Sequence, residues 1–107
     1  MKVVLLSEGA IAPKRVNEFA AGYDLFTPKD VVVNPGRNMI PLDIAVELDP
    51  HTQGEVRPCS GSSINGMKGY SLQVHDTEKR LDADVILGTV DEDYRGVVGV
   101  IIKSFEK

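Results

Sequence analysis

The chain is poor in the features that would commit it to several common classes. It holds a single cysteine, Cys59. One thiol cannot form an internal disulfide, and without a second a cysteine-type zinc site is disfavoured too. That usage leads us to expect a reducing, cytoplasmic setting. Long apolar runs are missing, since nothing approaches the ~18 residues of a membrane span. The opening "MKVVLLSEG" has too short a hydrophobic stretch, and no small-residue cleavage site, for a secretory signal. Positive charge is in deficit, with 12 Lys and Arg against 16 Asp and Glu and a net charge of -4. A general nucleic-acid binder wants a basic stripe, so that class is disfavoured. A small anion could still bind where cations gather locally or a metal bridges. His51 and His75 lack partners at metal-ligand spacing and are expected at the surface.

Helix signals are nearly absent as well. "RVNEFAAGYD" could form one turn, but Ala21-Gly22 and the following Pro28 stop it. What recurs is short β-rich runs: Val3 to Leu6, Val31 to Val33, Met39 to Val46, Glu55 to Arg57, Tyr70 to Val74, Val85 to Leu87 and Val97 to Lys103. Turn chemistry separates them in "TPKD", "NPGR", "DPHTQG", "SGSSINGMKG" and "DEDYRG". In "NPGR", Gly36 is free to take a positive φ. The polar stretch "HDTEKRLDAD", residues 75–84, reads as a solvated loop with at most one helical turn. Many short strands with Gly, Pro and Asn turns imply an all-β sandwich or barrel-like jelly roll. At 107 residues one domain, 1–107, is expected. A chain of this size buries only roughly 65% of its unfolded surface. Its sheet edges would stay open, which points to an oligomer.

One stretch raises a question of chemistry. "GTVDEDYRG", Gly88 to Gly96, puts three acids in a row before Tyr94 and Arg95, between two apolar segments. Either it is an ordinary solvated hairpin tip, or the carboxylates and the ring face something that the strands hold in place. A carboxylate on a tight turn between rigid strands suits a water-positioning role.

Three segments together resemble the trimeric dUTPase family. "AAGYDLFTP" (Ala20 to Pro28) is similar to its first motif and "RPCSGSS" (Arg57 to Ser63) to its second. "GTVDEDYRGVVGV" (Gly88 to Val100) is similar to the third, the most specific of them. The resemblance implies a distorted β jelly roll, assembled as a homotrimer with sites at subunit interfaces. It implies Mg²⁺-assisted hydrolysis of dUTP to dUMP and pyrophosphate, with a deoxyuridine nucleotide as partner. Asp91 would match the carboxylate that orients the attacking water. Tyr94 would match the ring that packs on the deoxyribose and leaves no room for a 2′-hydroxyl. Ser60, with Gly61 beside it, would match the group contacting the phosphate chain, and Asp24 the acid near the metal's water shell. Backbone groups of Gly88, Thr89 and Val90 would pair with the uracil edge.

The departures are as specific as the matches. Cys59 stands where the second motif usually has an arginine, and a thiol supplies neither its charge nor its fork of donors. Arg57, two residues earlier and on the same face by strand alternation, is a substitute cation that could bind substrate. Lys68, Lys79 and Arg80 are others. Ser60 and Asp91 are farther apart than in the family, and the fourth and fifth motifs are missing, as in a short variant. A second reading therefore stands beside hydrolysis: a non-catalytic nucleotide-binding or sequestering protein on the same scaffold. The related dCTP deaminase branch ranks below both, since its Arg-Ser-Ser-x-Ala-Arg pattern is not found. Glu92 and Asp93 are expected as surface acids or turn formers, Arg95 in a structural ion pair, and Tyr23 and Phe26 in core or interface packing. Tyr70 stays open.

Overall fold

The computed structural model describes residues 1–70 and 78–106. Nine strands and one short helix follow in the order β1 (Lys2–Leu5), β2 (Gly36–Pro41), β3 (Ile44–Glu47), β4 (Gly54–Val56), α1 (Ser60–Asn65), β5 (Met67–Tyr70), β6 (Glu78–Leu81), β7 (Ala83–Ile86), β8 (Gly88–Val90) and β9 (Gly99–Ser104). The all-β class expected from the sequence is what is found.

The core forms where alternation is cleanest. In β9 every second residue is buried, and this strand lies at the centre of the three-stranded sheet β2-β9-β7. All its ladders are antiparallel, with Ile40 opposite Val100 and Val85 opposite Ile102. Ile40, Val100 and Ile102 meet Leu42, Ile44 and Val46 in one apolar cluster. A bend at Pro35 feeds β2 from Asn34. Gly36 takes φ 87° there, as "NPGR" predicts. The Asn38 side chain then stitches the turn: Nδ2 donates to the carbonyls of Asn34 (2.9 Å), Gly36 (3.1 Å) and Ile102 (3.2 Å), while Oδ1 accepts from the Asn34 amide.

The run Met39 to Val46 is not one strand. Asp43 adopts φ 56°, a conformation that Asp tolerates better than most residues. Opposite it, the Val98 carbonyl accepts from Leu42 (3.0 Å) and the Val98 amide donates to Ile44 (2.8 Å). The positive φ turns the chain here without breaking the inward alternation, and β3 leaves the ladder of β2 to pair with β1. β1 and β3 form a two-stranded antiparallel ladder, Val3 opposite Val46.

Three further expectations are corrected. Val31 to Val33 forms no strand, because it finds no ladder partner among the described residues; Val33 packs on the core from a loop. "SGSSINGMKG" contains α1 rather than only turns. Small polar residues gave no helical signal, yet the Ser63 amide reaches the Cys59 carbonyl (3.0 Å) and Gly66 closes the end on Ser62 (2.8 Å). The polar stretch 75–84 is not a loop with a helical turn where it is described: Glu78–Leu81 pairs with β5, and Ala83 begins β7. Cross-strand hydrogen bonding there overrides an unfavourable composition. The strand expected beyond Tyr70, and His75, lie outside the described residues.

Candidate functional site

The first two motif segments converge on one open cleft of about 850 Å³. Leu25, Phe26 and Thr27 form one wall, and Cys59, Gly61 and Ser62 form another. The first wall is held by a strap. Lys14 and Asp24 exchange backbone hydrogen bonds of 3.1 and 2.7 Å, closing the loop between them. Inside that loop the Arg15 guanidinium donates to the carbonyls of Glu18 (2.6 Å) and Ala20 (3.0 Å). Asp24 therefore sits, exposed, at the fixed base of a loop beside the cleft. Phe26 is half-buried on the cleft wall, whereas Tyr23 is 52% exposed and not a core residue.

The second wall is the start of α1. Ser60 is exposed between Cys59 and Gly61, both of which line the cleft. Arg57 is exposed just after β4 and is not part of the lining. The β5–β6 hairpin supplies the third wall through Met67, Lys68 and Arg80. Of the three cations considered as substitutes in this region, the cleft takes Lys68 and Arg80 and leaves Lys79 outside. Sequence reasoning missed Ser62, Asn65 and Met67, since it saw no helix and no hairpin around them.

The third motif is built differently. β8 pairs with β4, Gly54 opposite Val90 and Val56 opposite Gly88. Gly88, Thr89 and Val90 thus form a strand whose second edge has no partner among the described residues. Past Val90 the chain turns sharply: the Tyr94 amide bonds the Asp91 carbonyl at 3.1 Å. The Tyr94 hydroxyl donates to the Val97 carbonyl at 2.8 Å, folding the ring across Gly96. A Cβ on Gly96 would stand 2.6 Å from that hydroxyl oxygen, so glycine is needed for the ring to lie there. Arg95 makes a structural contact, but not an ion pair: its guanidinium donates to the carbonyls of Glu92 (2.7 Å) and Tyr94 (3.2 Å). The turn is sewn together by its own backbone. Its three carboxylates, Asp91, Glu92 and Asp93, are exposed and make no hydrogen bond among the described residues.

The register also separates the predicted residues into two groups. Asp91 lies beyond the Gly54 end of the β4–β8 ladder, and Ser60 beyond the Val56 end. Neither Asp91 nor Tyr94 lines the cleft. No cluster of three or more His, Cys, Asp or Glu able to cage a metal occurs among the described residues. Mg²⁺ sites in general rely on one or two carboxylates together with substrate phosphates and retained waters rather than on an all-protein cage.

The dUTPase family model matches residues 8–80. The dUTP nucleotidohydrolase of Gloeothece citriformis is 37% identical over all of this chain, which covers 66% of that protein. The enzyme of Oryza sativa is 38% identical over 95% of the chain and 52% of its own length. The chain thus spans about half to two thirds of the curated relatives it matches. Among solved structures, a mutant dUTPase of phage phi11 of S. aureus, described with a structural Mg(II) ion, superposes with a TM-score of 0.78 at 30% identity. That match covers 97% of this chain and 59% of the phage protein. A phage 80alpha dUTPase with dUpNHpp gives a TM-score of 0.79 at 27% identity, over 99% of this chain and 54% of that one. No helix among the described residues is long and apolar enough to cross a membrane. The distorted jelly roll expected from the sequence is the fold, and the chain belongs to the dUTPase family.

Proposed function

We propose that the protein hydrolyses dUTP to dUMP and pyrophosphate, with Asp91 orienting the attacking water. The observation that carries this reading is the self-stitched turn, which holds an exposed carboxylate and a fixed ring side by side. Hydrolysis of a phosphate anhydride is mostly a problem of positioning and charge neutralisation. A carboxylate whose turn is closed by Tyr94 and Arg95 loses little freedom on engaging a water. The Tyr94 ring, pinned through Val97, is a flat wall for a deoxyribose. The free edge of β8 offers alternating N–H and C=O groups to a uracil edge. Ser60 and Gly61 at the cleft would meet the phosphates. Mg²⁺, when bound, would neutralise phosphate charge, with Asp24 reaching it through water.

The reading requires more than one copy of the chain. Asp91 and the cleft stand apart within a single chain, so a neighbouring copy must supply one to the other. We infer the homotrimer of the family resemblance. The strand β1 supports association: Val4, Leu5 and Leu6 are 57%, 51% and 49% exposed in succession, and the second edge of β1 has no partner among the described residues.

The test is pyrophosphate release from dUTP with Mg²⁺. Asp91→Asn should lower the rate about 10²–10⁴-fold. Ser60→Ala and Asp91→Asn chains, each impaired alone, should regain activity when unfolded and refolded together, because mixed assemblies restore intact sites. Equal activity of wild type and Asp91→Asn would remove Asp91 from the mechanism. Tight dUTP binding without pyrophosphate release would leave the sequestering role instead.

A further inference from the structure

Lys68 and Arg80 face each other directly across the β5–β6 ladder. They are the only charged residues lining the cleft among the described residues, in a chain whose net charge is -4. Like charges directly opposite on a sheet are unfavourable unless something negative lies between them. Glu78 relieves this only weakly, at 4.0 Å from the Lys68 ammonium with both side chains largely exposed. Among the described residues, a single long contact of 3.4 Å ties the Arg80 guanidinium to the Gly66 carbonyl, and most of its donors find no partner there. Around the pair, the cleft presents the hydroxyls of Thr27 and Ser62 and the amide of Asn65.

We propose that Lys68 and Arg80 form a clamp for the phosphate chain of the bound nucleotide, and that this hairpin supplies the cationic charge missing at Cys59. A thiol at the exposed Cys59 brings no charge to the same cleft. The hairpin delivers two cations across from it. Arg80 can grip one phosphate with two parallel N–H groups, and Lys68 can follow a neighbouring phosphate on its flexible stem. Lys79 projects from the opposite face of β6 by strand alternation and takes no part. The assignment rests on the nucleotide reading only for the ligand's identity; the clamp itself recognises a polyphosphate.

The experiment measures calorimetric binding of inorganic tripolyphosphate, without divalent metal, to the full chain and to three variants. Lys68→Ala/Arg80→Ala should weaken binding by at least about tenfold, Arg80→Lys should lose less, and Lys79→Ala should change it less than about twofold. Matching circular dichroism and melting would show that all variants fold. Undiminished binding in the double variant, or an equal loss in Lys79→Ala, would overturn the clamp. Turnover of dUTP separates the two claims. If wild type releases pyrophosphate and the double variant has an unchanged KM, the clamp falls while the hydrolase reading stands. If wild type releases none, but tripolyphosphate binding depends on Lys68 and Arg80, the clamp stands and the hydrolase reading falls.

Discussion

The sheet β2-β9-β7 and the two small ladders β4–β8 and β5–β6 are made of the same element type to opposite ends. In the first, burial alternates strictly along β9, and its buried Val100 and Ile102 join a single apolar cluster. In the others, the strands are three or four residues long, none of their described residues is fully buried, and they carry the acid turn and the cation pair. Full burial is concentrated in that sheet and in β3, while the proposed site residues lie on or beside the sparsely buried ladders. Site residues on sparsely buried ladders can therefore change without dismantling the core.

Substitutions can break that division or sharpen it. The largest expected effect is in the core sheet's neighbour: Ile44, 1% exposed, should cost about 2–5 kcal/mol as alanine, read from denaturant midpoints. Asp91→Asn should leave the same midpoint within about 0.5 kcal/mol, because an exposed turn carboxylate without partners stabilises little. A shift as large as that of Ile44→Ala would erase the division. Asn38→Ala should cost about 1–3 kcal/mol, since the amide joins the turn before β2 to β9. Gly96→Ala should cost about 1–2 kcal/mol and displace the Tyr94 ring. On the proposed function its clearer readout is a lower ratio of dUTP to UTP turnover, as the ring proposed to exclude a 2′-hydroxyl moves. At the small end, Phe19→Ser, at a side chain 88% exposed on the Arg15 loop, should change stability by less than about 0.5 kcal/mol.

The alternation in residues 97–103 and the turn "NPGR" were legible because each rests on a local rule: period two in one case, a positive-φ glycine after proline in the other. The third motif was legible through its resemblance to the family, whereas its internal stitching through Tyr94 and Arg95 was not. Val31 to Val33 misled because propensity says nothing about whether a partner strand exists. α1 was invisible because serines and a glycine carry no helical signal, and only tertiary position favours that turn. Residues 78–81 hid as a charged run, although backbone pairing across the hairpin is indifferent to side-chain charge. Arg95 was expected to seek a carboxylate and instead serves its own turn, because the nearest acceptors are backbone oxygens.

Asp43 has a consequence out of proportion to its size. The buried positions Ile40, Leu42, Ile44 and Val46 keep a strict period of two straight through it. Deleting it would invert Ile44 and Val46 relative to Ile40, presenting to water the side chains that now fill the interior. One residue of chain length decides which side of β3 is the inside of the molecule.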